Sequence, residues 1–242
     1  MRAHSQRTSV KLYIANKNYS SWSMRAWVLL TQAGIAFEEV MVPFGANTFE
    51  AGSAFKQAML AVNPAGQVPV LEDDGLLIWD TLAIAEYLAE KHPDKQLWPQ
   101  DVKARARARS ICAEMHAGFG ALRSACPMNI EAALHDVGAL AWRDKPAVRN
   151  DVQRIVDMWT PLLEQYRNAP GSQHLLFGAF SIADAYFAPV CMRLKNYALP
   201  VPAHITAYVE RVSALPGVKA WIEQALAEKD FVVADEPYRV RR

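Results

Sequence analysis

The stretch that decides the fold is residues 63–81, which read NPAGQVPVLEDDGLLIWDT. It combines a turn, a strand, a tight hairpin turn, a second strand and the start of a helix. In order, these are residues 63–66, 67–72, 73–75, 76–79 and a helix from Asp80 to about Lys91. The segment therefore predicts an antiparallel strand pair that leads directly into a helix.

The chain before residue 63 also alternates strand and helix patterns. Val10, Leu12 and Ile14 alternate with less apolar neighbours, as in a strand with one buried face. The predicted elements are a strand at 10–14, a helix from Trp22 to Ala33 ended by Gly34, a strand from Phe37 to Val42, and a helix from Thr48 to Leu60. Together with 63–91, this order predicts a compact α/β domain over residues 10–92.

The second half of the chain shows helical patterns only. Residues 93–102 are linker material, and an all-helical domain is predicted over 103–235. Its predicted helices run from Lys103 to Ala125, Lys145 to Asn168, Ser181 to Asn196, Pro202 to Ala214 and Gly217 to Lys229. The last residues, 238–242, are predicted to be a frayed basic tail.

Composition narrows the function class. The 242 residues are 52% apolar and 21% charged, with a net charge of +1. This balance is typical of a globular protein and gives no electrostatic reason to expect nucleic acid or a membrane surface as a partner. The polar first ten residues carry no export signal, and Cys112, Cys126 and Cys191 have no paired spacing. We therefore expect reduced, mostly buried thiols in a cytoplasmic protein.

Several catalytic motifs are absent from the sequence. It contains no G-x-S-x-G elbow, no P-loop, and no His-x-x-x-His or Cys-x-x-Cys pair. The six histidines are scattered, so we expect no metal.

The first candidate site is the pair Ser20 and Ser21, where the first strand gives way to the first helix. A helix start favours an anion by about 0.3–1 kcal/mol. The two hydroxyls either only cap the helix or donate a hydrogen bond to a bound thiolate.

Two further candidates lie within residues 63–81. Val68-Pro69 begins a strand, and if this peptide bond is cis, the Val68 backbone can pair with an extended peptide. Asp80 and Thr81 begin a helix. They either only cap it or also hold a ligand, with Thr81 binding a carboxylate and Asp80 an ammonium group.

The order of these segments, with Ser20 to Arg25 on the first strand–helix turn, resembles the cytosolic glutathione transferase superfamily, and in particular its serine-using, zeta-like classes. The resemblance covers essentially the whole chain, including a capping box formed by Ser181 and Asp184. It implies a thioredoxin-like N-terminal domain and an all-helical C-terminal domain. It also implies glutathione as co-substrate, a small electrophile as second substrate, and a homodimer.

The resemblance also implies individual roles. Ser20 corresponds to the thiol-activating hydroxyl, with Ser21 as the second candidate. Glutathione is bound by Gln67 and Val68 ahead of a cis Pro69, and by Asp80 and Thr81 at the γ-glutamyl end. Trp22 stands where zeta-like enzymes usually carry Cys, which argues against Cys-based thiol transfer.

The expected activity is attack of the glutathione thiolate on a small hydrophobic electrophile. The alternatives are a glutathione-dependent cis–trans isomerase of the maleylacetoacetate isomerase type and a non-catalytic binding protein. Spacing alone gives Trp22, Met115, His116 and Phe119 as candidates for the electrophile pocket, with core packing as the alternative.

Overall fold

The computed structural model of the protein describes residues 10–45, 47–48 and 50–242. The N-terminal segment in which no export signal was found, apart from Val10, lies outside these residues. None of the helices in the described ranges has the length and apolar content that crossing a bilayer requires.

The N-terminal domain is a four-stranded sheet with helices. The strands are β1 (Val10–Ile14), β2 (Glu38–Met41), β3 (Val70–Asp73) and β4 (Leu76–Trp79), in the spatial order β2-β1-β3-β4. β1 pairs with β2 in parallel and with β3 antiparallel, and β3 pairs with β4 antiparallel. The helices are α1 (Ser21–Gln32), α2 (Ala54–Leu60) and α3 (Thr81–Lys91). This is the predicted thioredoxin-like arrangement.

Two predicted boundaries in this domain were wrong. Helix α2 begins at Ala54 and not at Thr48, because the Ser53 hydroxyl caps it by accepting from the N–H of Lys56 at 3.1 Å. Strand β3 begins at Val70 and not at Gln67. Pro69 has no N–H to give to a strand neighbour, so the ladder starts after it.

The C-terminal domain is helical, as predicted. Its helices are α4 (Val102–Ala117), α5 (Gly120–Ala125), α6 (His135–Asp144), α7 (Pro146–Gln165), α8 (Ile182–Asn196), α9 (Ala203–Ala214) and α10 (Pro216–Ala227). Short 3-10 turns at Pro93–Lys95 and Val233–Asp235 flank this set.

The prediction of one helix from Lys103 to Ala125 was wrong. The chain breaks at Gly118 and Phe119, and Phe119 adopts the left-handed conformation with φ 57°. A Cβ at Gly118 would stand 2.8 Å from the Glu114 carbonyl oxygen, so glycine permits this break.

Helix α6 was missed. Val137 and Trp142 pack against the core, and the two fully buried residues of this helix, Gly138 and Ala141, are small. Their size has a structural reason, because a Cβ on Gly138 would overlap the carbonyl oxygen of Tyr197 at the end of α8.

The frayed tail was also a wrong prediction. The Tyr238 hydroxyl donates to the carbonyl of Ala125 at 2.7 Å, and Arg242 donates to Glu131 at 2.9 Å. These contacts hold the last residues against the second domain.

Helix α1 lies at the junction of the two domains. It packs against α8 and α10, and one hydrophobic core includes buried residues from both domains. The loop before α1 is also attached to the second domain, because the Asn18 side chain donates to the Asn129 side chain at 3.1 Å. The start of α1 is therefore held between the two domains.

Candidate functional site

A cleft of about 800 Å³ opens at the start of α1, between the two domains. All of the predicted site residues border it except Met115 and Phe119. Residues that the sequence analysis did not select also border it, and those that matter below are Lys56, Arg123, Arg193 and Asp235.

The two serines sit in different environments. Ser20 is the N-cap of α1, and its Oγ accepts from the Ser23 N–H at 3.4 Å and donates to the Ser23 Oγ at 2.7 Å. The Ser23 Oγ also accepts from the Ala15 N–H at 3.2 Å. Ser21 is half-buried, and its Oγ accepts from Nη2 of Arg193 at 3.3 Å.

The second predicted segment has the geometry that backbone recognition needs. The Val68-Pro69 peptide bond is cis. The adjacent turn is closed by Gly66 in the left-handed conformation and by Lys56, whose Nζ donates to the carbonyls of Ala65 and Gly66 at 2.8 and 3.2 Å. These groups form one wall of the cleft.

The third segment caps α3 and also borders the cleft. The Asp80 side chain accepts from the Leu82 N–H at 2.8 Å, and its other oxygen pairs with Nε2 of His116 at 3.1 Å. Thr81 is buried, and its hydroxyl shares a hydrogen bond with the Tyr186 hydroxyl. Asp80 is exposed to the cleft and accessible to a ligand.

Met115 and Phe119 do not border the cleft, which corrects their selection as pocket residues. Their side chains are 0% and 6% exposed and belong to the core. The prediction from helical spacing was wrong because it assumed that one helix continues through Gly118. His116 does reach the cleft and meets the Trp22 ring edge-on at 5.1 Å between centroids.

Three arginines surround the start of α1. Arg25 and Arg123 lie 4.2 and 4.8 Å from the centre of the Trp22 ring, and Arg193 donates to Ser21. Among the residues that the structure describes, no carboxylate lies within 4.0 Å of any of the three. Burial lowers the pKa of Arg25 to about 10 and that of Arg193 to about 9, and the other two arginines further lower the value for Arg193. Because an arginine guanidinium keeps its proton in proteins even when it is buried, all three are cationic at neutral pH.

Arg123 and Arg193 are functional candidates that sequence reasoning missed. A signal existed for Arg193, since it is a cation inside the otherwise apolar segment 185–194 of α8. Arg123 carried no comparable signal. The described ranges contain no group of side chains arranged to hold a metal ion.

Comparison with known proteins agrees with this geometry. Models of the glutathione S-transferase N-terminal and C-terminal domains match residues 19–91 and 104–224. The chain is 30% identical over 208 residues to glutathione S-transferase GstA of Escherichia coli O157:H7, covering 81% of this chain and 90% of that protein. It is 29% identical over 197 residues to maleylacetoacetate isomerase of Pseudomonas aeruginosa, covering 80% and 85%.

The solved structures agree with the sequence comparison. A glutathione transferase homologue from Burkholderia, determined with bound glutathione, superposes with a TM-score of 0.64 at 25% identity, covering 90% of this chain and 99% of that one. The fold and the cleft thus define a protein of the glutathione transferase class. The chain belongs to the glutathione S-transferase family.

Proposed function

We propose that the protein binds glutathione in the cleft, activates its thiol at the serine pair, and directs the thiolate at a small electrophile beside it. The observation that carries this proposal is the convergence of Ser20–Ser21, Val68 and Asp80–Thr81 on one cleft, although the three are separate in sequence.

Each wall of the cleft suits one part of the tripeptide. The backbone of Val68 would pair with the cysteinyl unit as a strand does. Thr81 and the start of α3 would hold the γ-glutamyl carboxylate, and Asp80 its ammonium group. Lys56 and Gln67 also border the cleft. Lys56 would meet the glycine carboxylate, and Gln67 would line the peptide.

These groups can supply the free energy that thiol activation requires. A free thiol has a pKa of about 8.5, so only a few per cent is ionised at neutral pH. Lowering this pKa by about 2 requires about 2.7 kcal/mol of preferential thiolate stabilisation. A hydrogen bond to a charged acceptor contributes about 1.5–3 kcal/mol, and the helix start up to about 1 kcal/mol. No general base is needed.

The reaction balances without any other reagent. The thiol proton passes to solvent, and the sulfur lone pair forms a bond to the electrophilic carbon. The leaving group departs with the bonding pair of the bond that breaks.

A second candidate function is glutathione-dependent cis–trans isomerisation of a conjugated diacid. Here the thiolate would add to the double bond, the resulting single bond would rotate, and the sulfur would leave again. Two observations favour it: relatives are named maleylacetoacetate isomerase, and Arg123 offers the cleft a cation with no carboxylate partner in the described ranges.

One comparison separates these candidates. Purified protein is given glutathione with either a chloronitroaromatic compound or a conjugated cis diacid, and the product is followed in each case. Conjugation of the aromatic compound supports the transferase, and isomerisation of the diacid supports the second candidate. If calorimetry detects no glutathione binding, both are wrong. Binding without turnover of either substrate would favour the non-catalytic protein.

Assembly and location are also part of the proposal. We propose a homodimer through α3 and α4, whose half-buried Glu86 and exposed Arg109 form a bidentate pair. Sedimentation analysis measures the mass of the assembly and so tests whether it is a dimer. Cys112, Cys126 and Cys191 are buried free thiols, which is consistent with the reducing cytoplasm proposed for it.

A further inference from the structure

We propose that Ser21, held in place by Arg193, is the hydroxyl that stabilises the glutathione thiolate, and that Ser20 serves the fold. This inference rests on the proposed function, since it concerns the same thiol. It also differs from the assignment of Ser20 that the family resemblance implies.

The hydrogen bonds of Ser20 are used within the β1–α1 turn. Its side chain is 5% exposed, and its proton is directed to the Ser23 Oγ at 2.7 Å. Its oxygen accepts from the Ser23 N–H, which caps α1. Donation to a thiolate would break the contact with Ser23, so Ser20 is suited to fixing the start of the helix.

Ser21 has the complementary arrangement. Its oxygen accepts from the Arg193 guanidinium at 3.3 Å, and no residue in the described ranges accepts its proton. The side chain borders the cleft and is half-buried. A hydroxyl that accepts from a cation is a stronger donor, because the chain of hydrogen bonds is polarised in one direction.

Arg193 is fixed by its surroundings. It is 5% exposed, and its Nε donates to the Cys126 carbonyl at 2.9 Å. Its charge is not neutralised by a carboxylate in the described part of the chain, and Arg25 and Arg123 are close enough to repel it. Buried cations are normally paired, so this uncompensated charge indicates that an anion completes the site. A thiolate next to Ser21 would be that anion.

The chemistry is a simple ionisation. The S–H bond of glutathione breaks, its proton goes to water, and the lone pair left on sulfur accepts the Ser21 O–H. Neither Ser21 nor Arg193 changes its own bonds. Arg193 acts through Ser21 and through its charge, so it is a positioning residue.

The experiment compares Ser21→Ala, Ser20→Ala and Ser21→Thr. Ser110→Ala is the matched control, because Ser110 is exposed on α4 and donates only to the Ala106 carbonyl. Two quantities are measured for each variant: the dissociation constant of glutathione by calorimetry, and the pKa of the bound thiol from the ultraviolet absorption of the thiolate. The pH profile of kcat/KM provides a third readout.

We expect Ser21→Ala to raise the bound thiol pKa by about 1 and to lower kcat/KM about threefold near pH 7, because the thiolate fraction falls from about three quarters to about one quarter. Glutathione affinity should change less than about threefold, and Ser21→Thr should restore most of the activity. Ser20→Ala should shift the thermal midpoint more than the thiol pKa. If Ser20→Ala raises the thiol pKa and Ser21→Ala does not, the assignment is wrong, although the proposed function stands.

Arg193 is tested in the same assay. Arg193→Lys keeps the charge but loses the fork that reaches Ser21 and Cys126 together, so an intermediate rise in the thiol pKa is expected. Arg193→Met should raise it at least as much as Ser21→Ala. A folded Arg193→Met protein with the wild-type thiol pKa would contradict the role of Arg193, and if that variant does not fold, the Ser21 variants decide the proposal. If the wild-type protein does not bind glutathione at all, the proposed function itself is wrong.

Discussion

The Tyr186 hydroxyl on α8 forms a hydrogen bond with the Thr81 hydroxyl at the start of α3. Both side chains are buried, and the bond joins the helical domain to the helix start at which the γ-glutamyl end of glutathione is proposed to bind. When the Tyr186 phenol donates to the Thr81 oxygen, the Thr81 hydroxyl can donate its own proton to a ligand carboxylate. The second domain thereby orients a residue of the first.

Replacing Tyr186 with Phe removes this orientation while keeping the ring. We expect a loss of about 1–2 kcal/mol in unfolding free energy, since Thr81 loses its buried partner. We also expect the KM for glutathione to rise about three- to tenfold. Tyr87→Phe is a matched control, because it loses one hydrogen bond to Asp73 away from the cleft. If both variants keep the wild-type KM, Thr81 does not depend on Tyr186.

Replacing Gly138 with Ala tests how α6 docks. The added Cβ would overlap the Tyr197 carbonyl oxygen, and since this is backbone, α6 must move. The expected loss is about 2–3 kcal/mol in denaturant unfolding. Gly120→Ala is the control, because nothing lies within 4 Å of its Cβ position. Equal stability of the two variants would show that α6 is not packed in this way.

Asp184 stabilises the start of α8. Its carboxylate accepts from the N–H groups of Leu176 and Ser181 at 3.2 and 3.0 Å and from the Tyr208 hydroxyl at 3.0 Å. Asp184→Asn keeps the shape of the side chain, but its amide nitrogen cannot accept a hydrogen bond. The free energy of unfolding should therefore fall by about 2–4 kcal/mol. Ser181→Ala should lose about 1 kcal/mol. An Asp184→Asn variant that is as stable as the wild type would show that this network does not stabilise the helical domain.

Asp235 makes stability depend on pH. Burial raises its pKa to about 6, with Glu236 adding repulsion, and its buried Oδ2 has no hydrogen-bond partner in the described ranges. Because the folded-state pKa lies above the unfolded value of about 3.9, ionisation in the folded state costs stability. This cost is absent below about pH 4 and complete above about pH 6.

Asp235→Asn should therefore be more stable than the wild type by about 2–3 kcal/mol above about pH 7. The advantage should disappear as the pH falls to about 4. Urea unfolding of both proteins across this range measures it. An advantage that is independent of pH would show that the ionisation of Asp235 is not its cause.

Local signals account for what the sequence predicted well. The hairpin turn at Asp74-Gly75, the cap at Asp80 and the serine pair at the start of α1 are each encoded within a few residues. The structure brings Asp80 and the two serines to one cleft. The two-domain fold follows from the same local periodicities.

Contacts between distant residues account for what the sequence did not predict. Ser21 and Arg193 are 172 positions apart, and nothing near either one indicates the other. The residue before helix α6, Leu134, makes no side-chain capping hydrogen bond, so no start signal marks this helix in the sequence. Met115 and Phe119 were selected on one helical face, but the break at Gly118 rotates the chain away from that face.

The most direct test of thiol activation is the titration of glutathione bound to the wild-type protein, followed by thiolate absorption and compared with free glutathione. We predict a pKa about 2 below the value of about 8.5 for a free thiol. A bound thiol that titrates at or above the free value would contradict the account, because the cleft would then bind glutathione without activating it.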